Sequence, residues 1–315
     1  MSRIVVALGG NALGNSPREQ KIAVKHAAKA LVPLILEGHN LVICHGNGPQ
    51  VGMINLAFST AADAGVVPRM PFAECTAMSQ GYIGYHLQNE IDAEIEANGM
   101  HGVPVITMLT QTIVDEHDPA FQHPTKPIGS FYDEATARTL MAETGDTYIE
   151  DSGRGWRKVV PSPKPIGIYE TISLRTLFYA REVIIAGGGG GIPIVKREHG
   201  YEGVDAVIDK DFAAAKLAEL IDADYFFILT AVEKVAINFG KPNQRWLDEM
   251  TKEGVERYIA EGQFAPGSML PKVEAALMFA EAKPDHAAVI TSLEAAHEAL
   301  AGRTGTKIIC PNCKL

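Results

Sequence analysis

Ile4-Val5-Val6-Ala7-Leu8-Gly9-Gly10-Asn11 carries five apolar residues straight into a glycine pair. A run of that length bounded by turn residues has the size of a β-strand, and its lack of polar alternation fits a strand covered on both faces. The same signature returns at residues 41–44, 103–108, 183–186, 225–229 and 287–290. Helical patterns fall between several of these runs: residues 23–36 before Gly38, 209–221, and 271–282 before Pro284. Strands alternating with helices require crossover connections, which predicts a mostly parallel sheet with helices on both sides.

One stretch breaks the rhythm. Residues 112–169 are rich in Pro, Gly, Asp and Arg, with a short extended piece at 156–160 and a helical pattern only near 134–143. A plain loop of that length is foreign to a compact domain, so an inserted subdomain or lid is expected there.

Composition narrows the function. The chain has 315 residues, 46% of them apolar and 21% charged, the balance of a packed globular protein. A formal net charge of −10 with no basic run argues against a nucleic-acid binder, whose affinity rests on displacing counterions from phosphates. The opening apolar run falls far short of the ~20 residues of a membrane span and ends in Gly-Gly-Asn instead of a cleavage site, so no membrane association and a cytoplasmic location are expected. Four cysteines are too few for a disulfide scaffold. Cys310-Pro-Asn-Cys313 has the spacing of half a zinc site, but a closed site needs four ligands, and the pair is read as part of a frayed C-terminal tail.

Ligands of open parallel sheets bind beyond the carboxyl ends of the strands. Glycines follow three strands here: Gly9-Gly10-Asn11, His45-Gly46-Asn47-Gly48-Pro49, and the five glycines 187–191. Glycine lets backbone N–H groups approach a phosphate closely, above all at a following helix N-terminus. One such turn is ordinary; three at strand ends make a cradle for a phosphoryl anion. Neither G-x-G-x-x-G nor G-x-x-x-x-G-K-[ST] occurs, which removes the dinucleotide fingerprint and the Walker loop.

Phosphoryl transfer needs positioning and positive charge more than covalent help. Lys210, in Val207-Ile208-Asp209-Lys210-Asp211, opens a helix after a turn at Gly203, with Asp209 or Asp211 able to fix its ammonium. Lys272 follows Pro271, a residue suited to the first helical position. A lysine in a first turn opposes the helix dipole, a conflict that a bound phosphate removes; without a ligand it is simply a solvated side chain. Lys126 stands between Pro124 and Pro127, presented with little entropy left to lose. Asp211 either orients the lysines or contacts a nucleotide-bound Mg²⁺. His45 is read first as a hydrogen-bonded core residue.

These segments together resemble a known family. Val5-Val6-Ala7-Leu8-Gly9-Gly10-Asn11-Ala12, His45-Gly46-Asn47-Gly48-Pro49-Gln50-Val51-Gly52, Asp118-Pro119-Ala120-Phe121, Pro124-Thr125-Lys126-Pro127-Ile128-Gly129, Val159-Val160-Pro161-Ser162-Pro163, Val207-Ile208-Asp209-Lys210-Asp211 and Gly267-Ser268-Met269 with Pro271-Lys272 are similar to carbamate kinase, in that family's order and over essentially the whole chain. The resemblance implies the amino acid kinase fold, a three-layer α/β/α sandwich in one domain spanning 1–315, with a protruding subdomain at about 112–169, and a homodimer. It implies reversible transfer between ATP plus carbamate and ADP plus carbamoyl phosphate, with Mg²⁺ on the nucleotide, in the direction that makes ATP during fermentative arginine breakdown.

Carried over by position, Lys210 and Lys272 hold the transferring group, Asp211 organises them, and Lys126 reaches from the subdomain to the carbamate. Gly9, Gly10, Asn11, Gly46, Asn47, Gly48, Gly188 and Gly189 line the phosphoryl path. Asp209, Thr230, Ala231, Val232 and Met269 fall to the nucleotide. Wider relatives place a lysine in the first strand where this chain has Ala7, and Lys126 supplies that charge in our reading. The competing readings are a kinase of a larger carboxylate such as acetylglutamate or aspartate, a nucleotide sensor without turnover on the same fold, and more distantly a glycine-loop dehydrogenase.

Overall fold

Ile4, Val6 and Leu8 point to one side of a sheet and Val5 and Ala7 to the other, and all five are buried. Each set joins a different apolar cluster, which is why the strand shows no polar alternation. The computed structural model describes residues 1–9, 13–14, 16–151 and 153–311. In chain order it begins β1 (Arg3–Leu8), α1 (Pro17–Leu36), β2 (Asn40–His45), α2 (Gly48–Asp63), α3 (Phe72–Ala97), β3 (Val105–Thr107) and β4 (Gln111–Val114). There follow β5 (Lys126–Tyr132), α4 (Glu134–Thr144), β6 (Thr147–Glu150), β7 (Trp156–Val160), β8 (Pro165–Ile168), α5 (Thr171–Tyr179) and β9 (Val183–Ile185). Next come β10 (Ile192–Arg197), β11 (Gly200–Gly203), α6 (Lys210–Leu220), β12 (Tyr225–Thr230), β13 (Val235–Ile237) and β14 (Arg245–Leu247). The chain closes with β15 (Glu249–Thr251), α7 (Lys252–Ala260), α8 (Met269–Ala282), β16 (Ala287–Ser292), α9 (Ala296–Leu300) and β17 (Thr306–Ile309).

The main sheet has the order β15-β17-β16-β12-β1-β2-β9-β3. Its six apolar runs pair in parallel from β16 through to β3, and β17 is antiparallel to β16. Helices α6 and α8 pack on the face of Val5 and Ala7; α1 and α3 pack on the face of Ile4, Val6 and Leu8. The result is the three-layer α/β/α arrangement. Because β1, β2, β12 and β16 run the same way, the turns after them gather at one edge of the sandwich.

The 112–169 stretch divides. Its two ends, β4 and β8, lie in a four-stranded sheet with β10 and β11, while β5, β6 and β7 form a separate three-stranded sheet backed by α4. Among the described residues no helix is long and apolar enough to cross a membrane.

Several local expectations need correction. Gly203 closes strand β11 and forms no turn before Lys210. Helix α8 starts at Met269, so Pro271 is its third residue, still within the turn where a missing N–H costs nothing. Cys310 is buried and disulfide-bonded, not part of a frayed tail; Cys313 lies outside the described residues. Helices α2 and α3 have no counterpart in the sequence reading. Glycines at Gly48, Gly52, Gly81 and Gly84 blur their periodicity, yet Gly84 has a packing reason, since a Cβ there would collide with the side chain of Thr107 on β3.

Candidate active site

Helix α6 begins with Asp209 at its N-cap, whose Oδ1 accepts the Asp211 N–H at 3.0 Å. That cap turns the next two side chains inward. Asp211 is 2% exposed, and each of its carboxylate oxygens takes one ammonium: Lys210 Nζ donates to Oδ1 at 2.5 Å, Lys272 Nζ to Oδ2 at 2.8 Å. Burial alone would push the Asp211 carboxyl up; the two ammonium groups outweigh it and hold the carboxyl below its usual range. Lys272 sits in the first turn of α8, and Asp211 supplies the negative charge that offsets its unfavourable place against the helix dipole.

Lys126, at the start of β5, reaches down to Asp209 Oδ2 at 3.6 Å. Three ammonium groups therefore face two carboxylates, an excess of one positive charge before any ligand binds. All five side chains line a cleft of about 740 Å³ at the carboxyl edge of the sheet. Gly9 after β1, Gly46 to Gly48 after β2 and, at the end of β12, Thr230 with Ala231 form further parts of its wall. The N-termini of α2 and α8 open towards it, and neither is capped by a side chain. At α8 the Leu270 N–H is taken by the Ala265 carbonyl and Pro271 has none, so there the lysines carry most of the attraction for an anion, while the α2 start adds the favourable end of a helix dipole.

The five glycines 187–191 do not all line the cleft. Gly189 reaches the cleft, but Gly188 is buried, and a Cβ on it would strike the His45 ring. The turn is fixed from behind: Gln80 Nε2 donates to the carbonyls of Thr110 and Gly188 at 3.1 and 3.0 Å, and its Oε1 accepts the Thr110 N–H at 2.9 Å. Thr112 Oγ1 donates to Gly190 O at 2.7 Å. The run is thus chiefly a packed joint that presents Gly189. His45 Nδ1–H donates to Gly46 O at 2.9 Å, and burial pushes the imidazole down to about 4, so it is neutral and structural.

Asp209, Thr230 and Ala231 line the cleft, and two other residues expected at the nucleotide do not. Val232 is absent from the cleft wall, and Met269 packs towards the apolar cluster beneath α6 and α8. Gly10 and Asn11 lie outside the described residues. Residues that the sequence reading missed include His26 and Glu294, which face each other across the rim with Nε2 to Oε1 at 3.7 Å. Nothing in their local sequence marks them.

Against Lys126, Asn47, Gly48 and Gly189 the cleft adjoins a smaller chamber of about 140 Å³. Val51, Phe72 and Arg157 are among the other residues of its wall, and they come from α2, α3 and the three-stranded sheet.

The sequence profile of the amino acid kinase family matches residues 2–292. The chain is 54% identical over 308 residues to carbamate kinase of Staphylococcus haemolyticus, covering 98% of this chain and 99% of that one. It is 53% identical over 309 residues to the carbamate kinase-like protein YqeA of Escherichia coli, with the same coverage. Among solved structures it is similar to carbamate kinase from Giardia lamblia bound to AMP-PNP, with a TM-score of 0.93, 43% identity and 98% of each chain covered.

Proposed function

The chain belongs to the amino acid kinase family and, within it, to the carbamate kinases, and from that premise we propose that it moves a phosphoryl group reversibly between carbamoyl phosphate plus ADP and carbamate plus ATP. The observation that carries this reading is the adjacency of two features: the Asp211 cluster with its surplus positive charge, and a chamber scaled to a very small acceptor. Carbamate has four non-hydrogen atoms and suits so small a space.

In this mechanism the acyl group lies in the chamber under Lys126, and the nucleotide phosphates lie along the α8 N-terminus. The phosphoryl group passes between them over Asp211. Lys210 and Lys272 exchange part of their contact with Asp211 for the equatorial phosphoryl oxygens, where charge accumulates. Gly9, Gly46 and Gly48 border the same path, and Asp209 with Thr230 and Ala231 borders the nucleotide side. Before substrate binds, both oxygens of Asp211 are engaged by lysines, and in this reading Mg²⁺ comes with the nucleotide phosphates as part of the substrate. We assign the enzyme to the cytoplasm, to the ATP-forming direction in arginine breakdown, and to a homodimer. The face around edge strand β3 supports the last point, because Met78, Tyr85 and Leu109 are exposed there together. A sedimentation mass near that of one 33.9 kDa chain would remove the dimer.

The test of the reading is ATP formation from ADP and carbamoyl phosphate with Mg²⁺. We expect rapid ATP production that collapses in Lys210→Ala. No ATP from a parent enzyme that still binds ADP would end the carbamate kinase reading. In the same assay Lys126→Ala should raise the KM for carbamoyl phosphate far more than that for ADP, since its ammonium stands where the chamber opens into the cleft. An unchanged dependence on carbamoyl phosphate would make Lys126 a bystander.

A further inference from the structure

We propose that Ser79 is a positioning residue for acyl specificity: it fixes which end of the Asn47 amide faces the cleft, so that Asn47 Oδ1 accepts a hydrogen bond from the amino group of the carbamoyl substrate. The inference rests on the reading above and adds to it a recognition element for the one group that separates a carbamoyl from an acetyl phosphate.

A serine hydroxyl has a single proton. Ser79 Oγ, fully buried on α3, spends it on the Thr76 carbonyl at 2.6 Å. Towards Asn47 it acts only as an acceptor, and Asn47 Nδ2 donates to it at 2.9 Å. The amide is thereby oriented with its nitrogen inward and its oxygen at the other end. Asn47 is 9% exposed and lines both the cleft and the chamber, so what remains accessible of it opens onto the acyl side.

The oxygen is also released from its usual duty. Asn47 occupies the N-cap position of α2, where an asparagine oxygen ordinarily accepts an N–H from the second or third helical residue. Here the second is Pro49, which has no N–H, and the side chain makes no cap bond. No partner for Asn47 Oδ1 occurs among the described residues. The amide lies close against Gly189, where even a Cβ would collide with it. The neighbouring Gly188 carbonyl is in turn held by Gln80, the residue next to Ser79. One turn of α3 therefore orients the amide and builds the wall behind it.

An acceptor oxygen at the chamber mouth pairs with the N–H of a carbamoyl group. Against the methyl of acetyl phosphate it is left without a donor, and a site with such an unpaired polar atom rejects the analogue.

The test is kcat/KM for carbamoyl phosphate and for acetyl phosphate, each with MgADP, in the parent, Ser79→Ala, Asn47→Ala and the double variant. In Ser79→Ala we expect the carbamoyl phosphate value to fall about tenfold, the size of one good hydrogen bond. Acetyl phosphate and the KM for ADP should stay within about twofold, and the double variant should be no worse than Asn47→Ala alone. Equal losses on both acyl phosphates, or additive effects in the double variant, would make Ser79 a packing residue and overturn the inference while leaving the function standing. A parent enzyme that uses neither acyl phosphate would overturn both. Should Ser79→Ala fail to fold, the donor ratio of Asn47→Ala decides, and a ratio unchanged from the parent overturns the inference.

Discussion

Lys272→Ala should lower turnover by about 10²–10³, with the KM for ADP changed by no more than about threefold. Lys272 donates to Asp211 Oδ2 from the first turn of α8, the point where the developing charge on the phosphoryl oxygens would be met. Its contact tightens as charge builds in the transition state, so its removal is read in kcat and not in ground-state binding. The fold is not at risk in the same measure, because Lys210 still neutralises Asp211 at Oδ1. Lys272→Arg sharpens the test: the charge survives, but a planar guanidinium does not reproduce the compact ammonium geometry, and only partial recovery is expected. Activity of the alanine variant within about threefold of the parent would take Lys272 out of the mechanism.

The sheet was legible because a strand buried on both faces has no polar positions, and all six apolar runs became parallel neighbours in it. The lysines were legible for an electrostatic reason: Lys210 and Lys272 each stand at a helix start, where a cation is out of place without a negative partner, and Asp211 supplies one for both. The convergence itself was not legible. Residues 211 and 272 meet only because β12 and β16 lie side by side, which sets α6 against α8.

The glycines misled in a specific way. A glycine that admits a phosphate and a glycine that admits a neighbouring side chain look identical in sequence. Gly188 belongs to the second kind, making room for His45, whereas Gly46 and Gly48 border the cleft. The chamber walls were invisible for a related reason. Val51, Phe72 and Arg157 have no shared motif and are joined only by the packing of α2 and α3 against the small sheet.

Asp211→Asn should damage both stability and turnover, and ligand should repair the first but not the second. The carboxyl is nearly inaccessible and is held below its ordinary value of 3.8, so the stability it contributes is fully present above that value and disappears as the pH falls below it. The thermal midpoints of the parent and the variant should therefore differ most at neutral pH and converge below about pH 4. Neutralising Asp211 leaves two ammonium groups facing each other with no charge between them, and breaking such a buried arrangement by removing one partner is costly. Nucleotide phosphates bring replacement negative charge, so ADP should raise the midpoint of the variant more than that of the parent. Turnover should still fall about 100-fold, because the phosphates satisfy the charge without restoring the fixed positions of Lys210 and Lys272. A variant as stable as the parent at neutral pH, or one whose kcat returns once ADP is saturating, would show that Asp211 neither holds the lysines nor aims them.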